Sequence, residues 1–131
     1  MFVDASAIVA ILAREGEGPA FEARLDQPGP TSTSPVGIYE AVLGIARVLN
    51  VSIAVAQAEV DNFVAESGAQ IIPITAEIGR GAIRAFERYG RGRHPARLNM
   101  GDCFAYACAR SLDMPLLFKG DDFAQTDIPA G

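Results

Sequence analysis

The sequence predicts an α/β fold, a mostly parallel sheet covered by helices on both faces, in a single domain of residues 1–131. Three observations predict it. Short apolar segments ("MFV", "AQIIPI", "MPLLF") are separated by stretches with helical spacing. Such strands, apolar and buried on both sides, belong to parallel sheets. Helix-starting residues follow three of the extended segments directly, namely Asp4, Ser34 and Thr75. With 131 residues, half of them hydrophobic and 21% charged, the chain is long enough to bury a proper core.

The elements follow in order. Residues 1–4 read as a buried strand, and Ala5 to about Arg14 as a helix burying Ile8, Val9, Ile11 and Leu12. Gly16 and Gly18 interrupt it. Pro19–Asp26 forms a second short helix with proline in its first turn, and "QPGP" is a turn. "TSTS" gives a short strand. Ser34 then caps a helix with Pro35 at its first position, running to about Asn50, in which Ile38, Val42, Ile45 and Leu49 make a helical stripe. Ser52 caps the next helix, which buries Ile53, Ala56, Val60, Phe63 and Val64 and ends at Gly68. "AQIIPI" is a strand, and Thr75 caps a helix over Ala76–Tyr89. "GRGRHPARLN" is a loop, and Asn99 or Gly101 leads into a helix through Leu112. "MPLLF" is a strand, "KGDDF" a turn or short helix, and "TDI" a final short strand.

Composition narrows the function. The chain carries 11 basic and 16 acidic residues, a net charge of −5, which argues against general nucleic-acid binding. Six arginines between Arg80 and Arg97, opposed there only by Glu87, nevertheless make a local basic patch. Their plain alternative is a solvated helix face and loop. No apolar run approaches the roughly 18 residues of a membrane helix, and with Asp4 as the first charge the N-terminus lacks the basic region of a signal peptide, so none is expected. A cytoplasmic protein without membrane contact is expected. Cys103 and Cys108 lie five residues apart in one helix, a turn of about 140° and a rise of about 7.5 Å that keeps them apart. They read as buried free thiols, and with one histidine, His94, they do not make a zinc site.

The acidic residues carry the chemistry. In a parallel sheet, ligands bind beyond the carboxyl ends of the strands. Asp4 ends the first strand, Asp121 and Asp122 follow the last apolar one, and Asp102 opens a helix of small and apolar residues. Glu40 lies near the apolar stripe of its helix. Each has a local reading: Asp4 and Asp102 as caps, Glu40 as a solvated residue, Asp121 and Asp122 as turn residues. Together, converging carboxylates repel and gain from a divalent cation. An oxygen-only set without a cysteine or histidine cluster favours Mg²⁺ or Mn²⁺. Ser6 reads as a partner of the Asp4 carboxylate or of a bound water, or as a backbone contact in the first helical turn. Thr33 and Ser34 are candidates to orient Glu40. Tyr106, one turn after Asp102, faces either the site or the core.

"MFVDASAIVAIL", "PVGIYEAVLGIA", "LNMGDCFAYACAR" and "PLLFKGDDFAQTDI" together resemble PIN-domain ribonucleases, and within them the VapC-type toxins of toxin–antitoxin pairs. The likeness spans essentially the whole chain. It implies a three-layer α/β/α sandwich and a Mg²⁺-dependent endoribonuclease that inhibits translation. It assigns catalytic and metal-binding roles to Asp4, Glu40 and Asp102. The fourth acid departs from the family's "TxDxDF" pattern: Gly120 stands at its first acid, Asp122 matches the second, and Asp121 is a possible substitute. The resemblance also implies an RNA substrate, a homodimer and a VapB-type antitoxin. The helices of residues 35–67 offer that antitoxin a groove, and Arg88, Arg91, Arg93, Arg97 and Ser6 are candidate substrate contacts. Two rival readings remain: a catalytically silent PIN-like module that binds RNA or protein, and a phosphotransfer α/β domain. For the second, the start reads Asp4-Ala5-Ser6 rather than DxD, and "AQIIPIT" supplies no acceptor aspartate.

Overall fold

Alternation along two-residue strands builds the centre of the molecule. A computed structural model describes all residues, 1–131. Strands β1 (Phe2–Val3), β2 (Ser32–Thr33), β3 (Gln70–Ile71) and β4 (Leu116–Leu117) form one parallel sheet in the order β3-β2-β1-β4. Phe2 pairs with Leu116 and Val3 with Leu117. Successive side chains point to opposite faces, so Phe2 and Leu116 enter one core cluster while Val3 and Leu117 enter the other.

Six helices cover the two faces: α1 (Ala5–Leu12), α2 (Gly18–Leu25), α3 (Pro35–Leu49), α4 (Ile53–Ser67), α5 (Ala76–Tyr89) and α6 (Met100–Ser111). Helices α5 and α6 pack on the Phe2 face, and α1, α3 and α4 on the Val3 face. The three-layer α/β/α sandwich is thus present. The helices start where their caps predict: Ser34, Ser52 and Thr75 accept N–H bonds at 3.0, 3.1 and 3.2 Å from Gly37, Val55 and Ile78. Asn50 and Gly68, in left-handed conformation, end α3 and α4.

Three boundaries differ from the sequence reading. α1 stops at Leu12, because Arg14 turns the chain at φ 56. The β3 ladder ends with the Ile72 N–H bonded to Thr33 O, since Pro73 has no N–H to extend it. "TDI" is not a strand. Thr126 folds into a local turn, its hydroxyl donating to Phe123 O and accepting from Ile128 N–H. The chain instead meets β4 two residues past Ile128, in a parallel bridge of Leu116 with Ala130.

Candidate active site

Asp4 leaves β1 at its carboxyl end and caps α1, so one residue is fixed by both elements. It is 5% exposed. The Ser6 N–H and hydroxyl both donate to Oδ2, at 3.0 and 2.6 Å, which leaves Oδ1 for another partner. Burial raises the Asp4 pKa above the ordinary carboxylate value despite these bonds. Ser6 Oγ in turn accepts the Lys119 N–H at 3.0 Å, tying the end of β4 to Asp4.

Glu40 reaches the same place from α3. A Cβ on Gly101 would lie 2.0 Å from Glu40 Oε2, so the carboxylate rests against the α6 backbone where a side chain is missing. Burial, and then the charges of Asp4 and Asp102, push the Glu40 pKa up to about 7. Asp102 sits in the first turn of α6 in a capping box: its Oδ2 accepts the Asn99 N–H at 3.1 Å, and Asn99 Oδ1 accepts the Asp102 N–H at 2.9 Å. Burial raises its pKa to about 6, helped by the charges of Asp4 and Asp122 and opposed by the Asn99 bond and Arg91.

These three acids line one cleft of about 380 Å³, together with Ser6, Glu15, Arg47 and Lys119. None of the three forms an ion pair; the ion-paired acids are Asp127, Glu15 and Glu17. Larger cavities lie elsewhere, a groove of about 520 Å³ beside Arg84 and Asp127 and an apolar one of about 610 Å³ beside Ile83 and Phe86, but neither is lined by these acids. No three acidic, histidine or cysteine side chains close around one point, so the cleft is not a finished metal cage. Its donor set still fits a hard divalent cation: oxygen ligands, partly desolvated and mutually repelling, with Asp4 Oδ1, Asp102 Oδ1 and the Glu40 carboxylate outside the protein's own hydrogen bonds.

The other residues singled out in the sequence fall in several places. Asp122 is exposed, yet its charge acts on Asp102; Asp121 is exposed and exerts no such effect. Arg91 is the arginine whose charge reaches Asp102. Arg93 lies over the Phe86 ring at 5.9 Å, and Arg97 is exposed in left-handed backbone at φ 54. Arg88 pairs with Asp127 at 3.3 Å. Thr33 and Ser34 do not orient Glu40: the Thr33 hydroxyl donates to Val3 O at 3.1 Å, and Ser34 caps α3. Tyr106 donates its hydroxyl to Asp127. His94 is half-buried. Its Nδ1 accepts the Ala96 N–H and its ring meets Tyr89 edge-on, closing the arginine-rich loop. Cys103 and Cys108 are buried free thiols.

Sequence reasoning missed Lys119, Arg47 and the role of Gly101. Lys119 had a usable signal, since it follows β4 closely and strand ends were the places to look.

A family model for the PIN domain matches residues 1–129. A VapC ribonuclease of Rhizobium meliloti is 40% identical, covering 97% of this chain and 98% of its own length. Ribonuclease VapC42 of Mycobacterium tuberculosis is 38% identical, over 98% of this chain and 96% of its own. Among solved structures, the VapC20 toxin of Mycobacterium tuberculosis, described as cleaving the sarcin–ricin loop, superposes with a TM-score of 0.78 at 18% identity, covering 97% of this chain and 95% of that one. A toxin–antitoxin complex from Klebsiella pneumoniae gives 0.67 at 20% identity, over 96% and 92%.

Proposed function

The chain belongs to the PIN-domain family, and on that premise we propose that it is a VapC-type endoribonuclease, the toxin of a toxin–antitoxin pair, built as a single domain with Asp4, Glu40 and Asp102 as its catalytic cluster. One observation carries the reading. Three carboxylates from three distant segments share one cleft, with raised pKa values and no ion-pair partner. A charge cluster left uncompensated by the fold is spent on a ligand.

The bound cation, Mg²⁺ or Mn²⁺ for an oxygen-only set, supplies Lewis-acid assistance to water attack and neutralises charge on the phosphodiester. Asp4 and Asp102 would hold it, and Ser6 and Asn99, hydrogen-bonded to them, keep those carboxylates from rotating. Glu40, the third carboxylate of the cleft, is suited to orient the attacking water and take its proton. Asp122 supplies a further negative charge near Asp102, and Arg91 a positive one for the RNA backbone.

The antitoxin docks on α3 and α4, a reading supported by the exposed apolar residues Tyr39, Leu43, Val48, Leu49, Ile53 and Val55. The toxin works as a homodimer in the cytoplasm and inhibits translation. No helix is long and apolar enough to cross a membrane. The test is cleavage of bulk RNA by the purified protein with Mg²⁺, with Mn²⁺ and with a chelator, followed by sequencing of the new 5′ ends. Cleavage that needs the ion and recurs at one site is expected; no cleavage under any divalent ion overturns the reading.

A further inference from the structure

Two cations line the carboxylate cleft, Arg47 on α3 and Lys119 just beyond β4. Lys119 is the anchored one. Its N–H donates to Ser6 Oγ, and that hydroxyl donates to Asp4 Oδ2, so two hydrogen bonds separate its backbone from the cluster. Its side chain turns to the segment after α1, where the ammonium pairs with Glu15 and lies 3.5 Å from Glu17. The pair is partly open to water, 35% exposed at Lys119 and 29% at Glu15. Ion pairs this open to water are weak, so the ammonium exchanges readily between these carboxylates and another anion. An RNA strand approaching the cleft meets Asp4, Glu40, Asp102 and Glu15, all repelling it, and needs a cation at the rim to seat a phosphate there.

We propose that Lys119 is a substrate-contact residue whose ammonium leaves Glu15 and Glu17 to hold an RNA phosphate beside the carboxylate cluster, the two glutamates competing with RNA for it. This rests on the endoribonuclease reading above and adds a residue, and a competitor for it, to that site. A plain structural staple between the α1–α2 turn and β4 is the opposing account. The two differ in sign. Loss of a staple harms the protein from either partner, whereas here Lys119→Ala weakens RNA and Glu15→Gln strengthens it.

The experiment measures binding of a fluorescent single-stranded RNA without divalent ion, and KM and kcat for the same RNA with Mg²⁺, across a salt series. One phosphate contact on a single strand contributes a slope of about 0.7 in log K against log salt, which is about fivefold at 0.1 M. Lys119→Ala is expected to raise KM about fivefold and reduce that slope by about 0.7, with the loss on KM rather than kcat; Lys119→Arg is expected to retain the contact. Glu15→Gln is expected to lower KM, and that gain is expected to disappear in the double variant. Glu15→Gln and Lys119→Ala shifting KM the same way would overturn the proposal, as would an undiminished Glu15→Gln gain in the Lys119→Ala background, which marks general repulsion. If wild-type protein neither binds nor cuts RNA, the function itself is overturned and this contact with it. If it cuts RNA and Lys119→Ala changes nothing, the contact alone falls.

Discussion

Helix α6 contributes to two acidic sites with opposite electrostatics. Its first turn places Asp102 in the cleft with Asp4 and Glu40; further along, Tyr106 and Arg110 meet Asp127 from the chain's end. At Asp127 every charge is answered. Partial burial acts to raise its pKa, but hydrogen bonds from Tyr106 and Arg110 and the Arg110 charge bring it down to about 2. Arg110 pairs with it at 2.6 Å and Arg88 at 3.3 Å. In the cleft burial raises the pKa values of all three acids, and at Glu40 and Asp102 the charges of neighbouring acids add to the rise. The same residue type is structural where the fold compensates it and chemical where the fold does not. Carboxylate count alone does not separate the two sites; their partners do.

Removing a cleft carboxylate gives the largest effect. Loss of a residue that merely orients a metal ligand costs about 10–100-fold in activity, so Asp4→Asn or Asp102→Asn, each removing a ligand, is expected to lower RNA cleavage at least about 100-fold. Asparagine keeps the cap at Asp4, and melting in chelator should show no loss of stability. Asp102→Asn cutting RNA at the wild-type rate in a folded protein would break the contrast at its stronger end.

Gly101 sharpens it without touching a charge. The Cβ of Gly101→Ala would meet Glu40 Oε2 at 2.0 Å. The obstruction is the far end of a flexible side chain, so Glu40 swings aside at little cost in stability, and alanine improves the helix turn. The catalytic geometry moves instead, and misplacement on the order of 1 Å costs about 100-fold. A drop of about 10-fold or more in kcat is expected, with the melting temperature held. Wild-type kcat would mean that Glu40 need not lie against α6.

Much of the fold was legible because its signals are local. Ser34, Ser52 and Thr75 announce their helices within three residues, and Asn50 and Gly68 end theirs in place. What was not legible depends on distant partners. Lys119 meets Ser6 across 113 residues and Glu15 across 104, so its place at the cleft is set by strand order. "TDI" looks like a strand until Asp127 is seen to be held by Tyr106 and Arg110. Thr33 sits beside Glu40's helix in sequence, but the β1–β2 pairing turns its hydroxyl to Val3. The carboxylates were visible as residues at strand ends and helix starts; the glycine that admits Glu40 was visible only as a helix start.

Asp127→Ala tests the compensated side. It removes the acceptor for Tyr106 and Arg110, bonds worth about 1 kcal/mol each and less at an exposed pair. A loss of about 1 kcal/mol is expected, a fall of about 4 °C in melting temperature for a domain of this size, with RNA cleavage by the folded protein retained. A loss of cleavage with no change in melting would make Asp127 a functional acid and remove the contrast.

The smallest effect is a pair of opposite pH slopes. Asp127 has a folded pKa below its ordinary value, so its stabilisation is present above about pH 4 and is lost as pH falls towards about 2. Glu40 and Asp102 have folded pKa values of about 7 and about 6, above their ordinary 4.5 and 3.8. Between those limits the folded protein binds more protons than the unfolded chain, so stability in chelator falls as pH rises from about 4 to about 7. A divalent cation binds the ionised cluster and reverses that slope, stabilising more as pH rises. Melting temperatures across pH 3–8, with chelator and with Mg²⁺, read both limbs. Glu40→Gln should flatten the neutral limb in chelator and leave the acid limb alone, and Asp127→Asn should do the converse. If Glu40→Gln instead steepens the neutral limb, the cleft acids are compensated after all, and burial with repulsion is not what readies them for a cation.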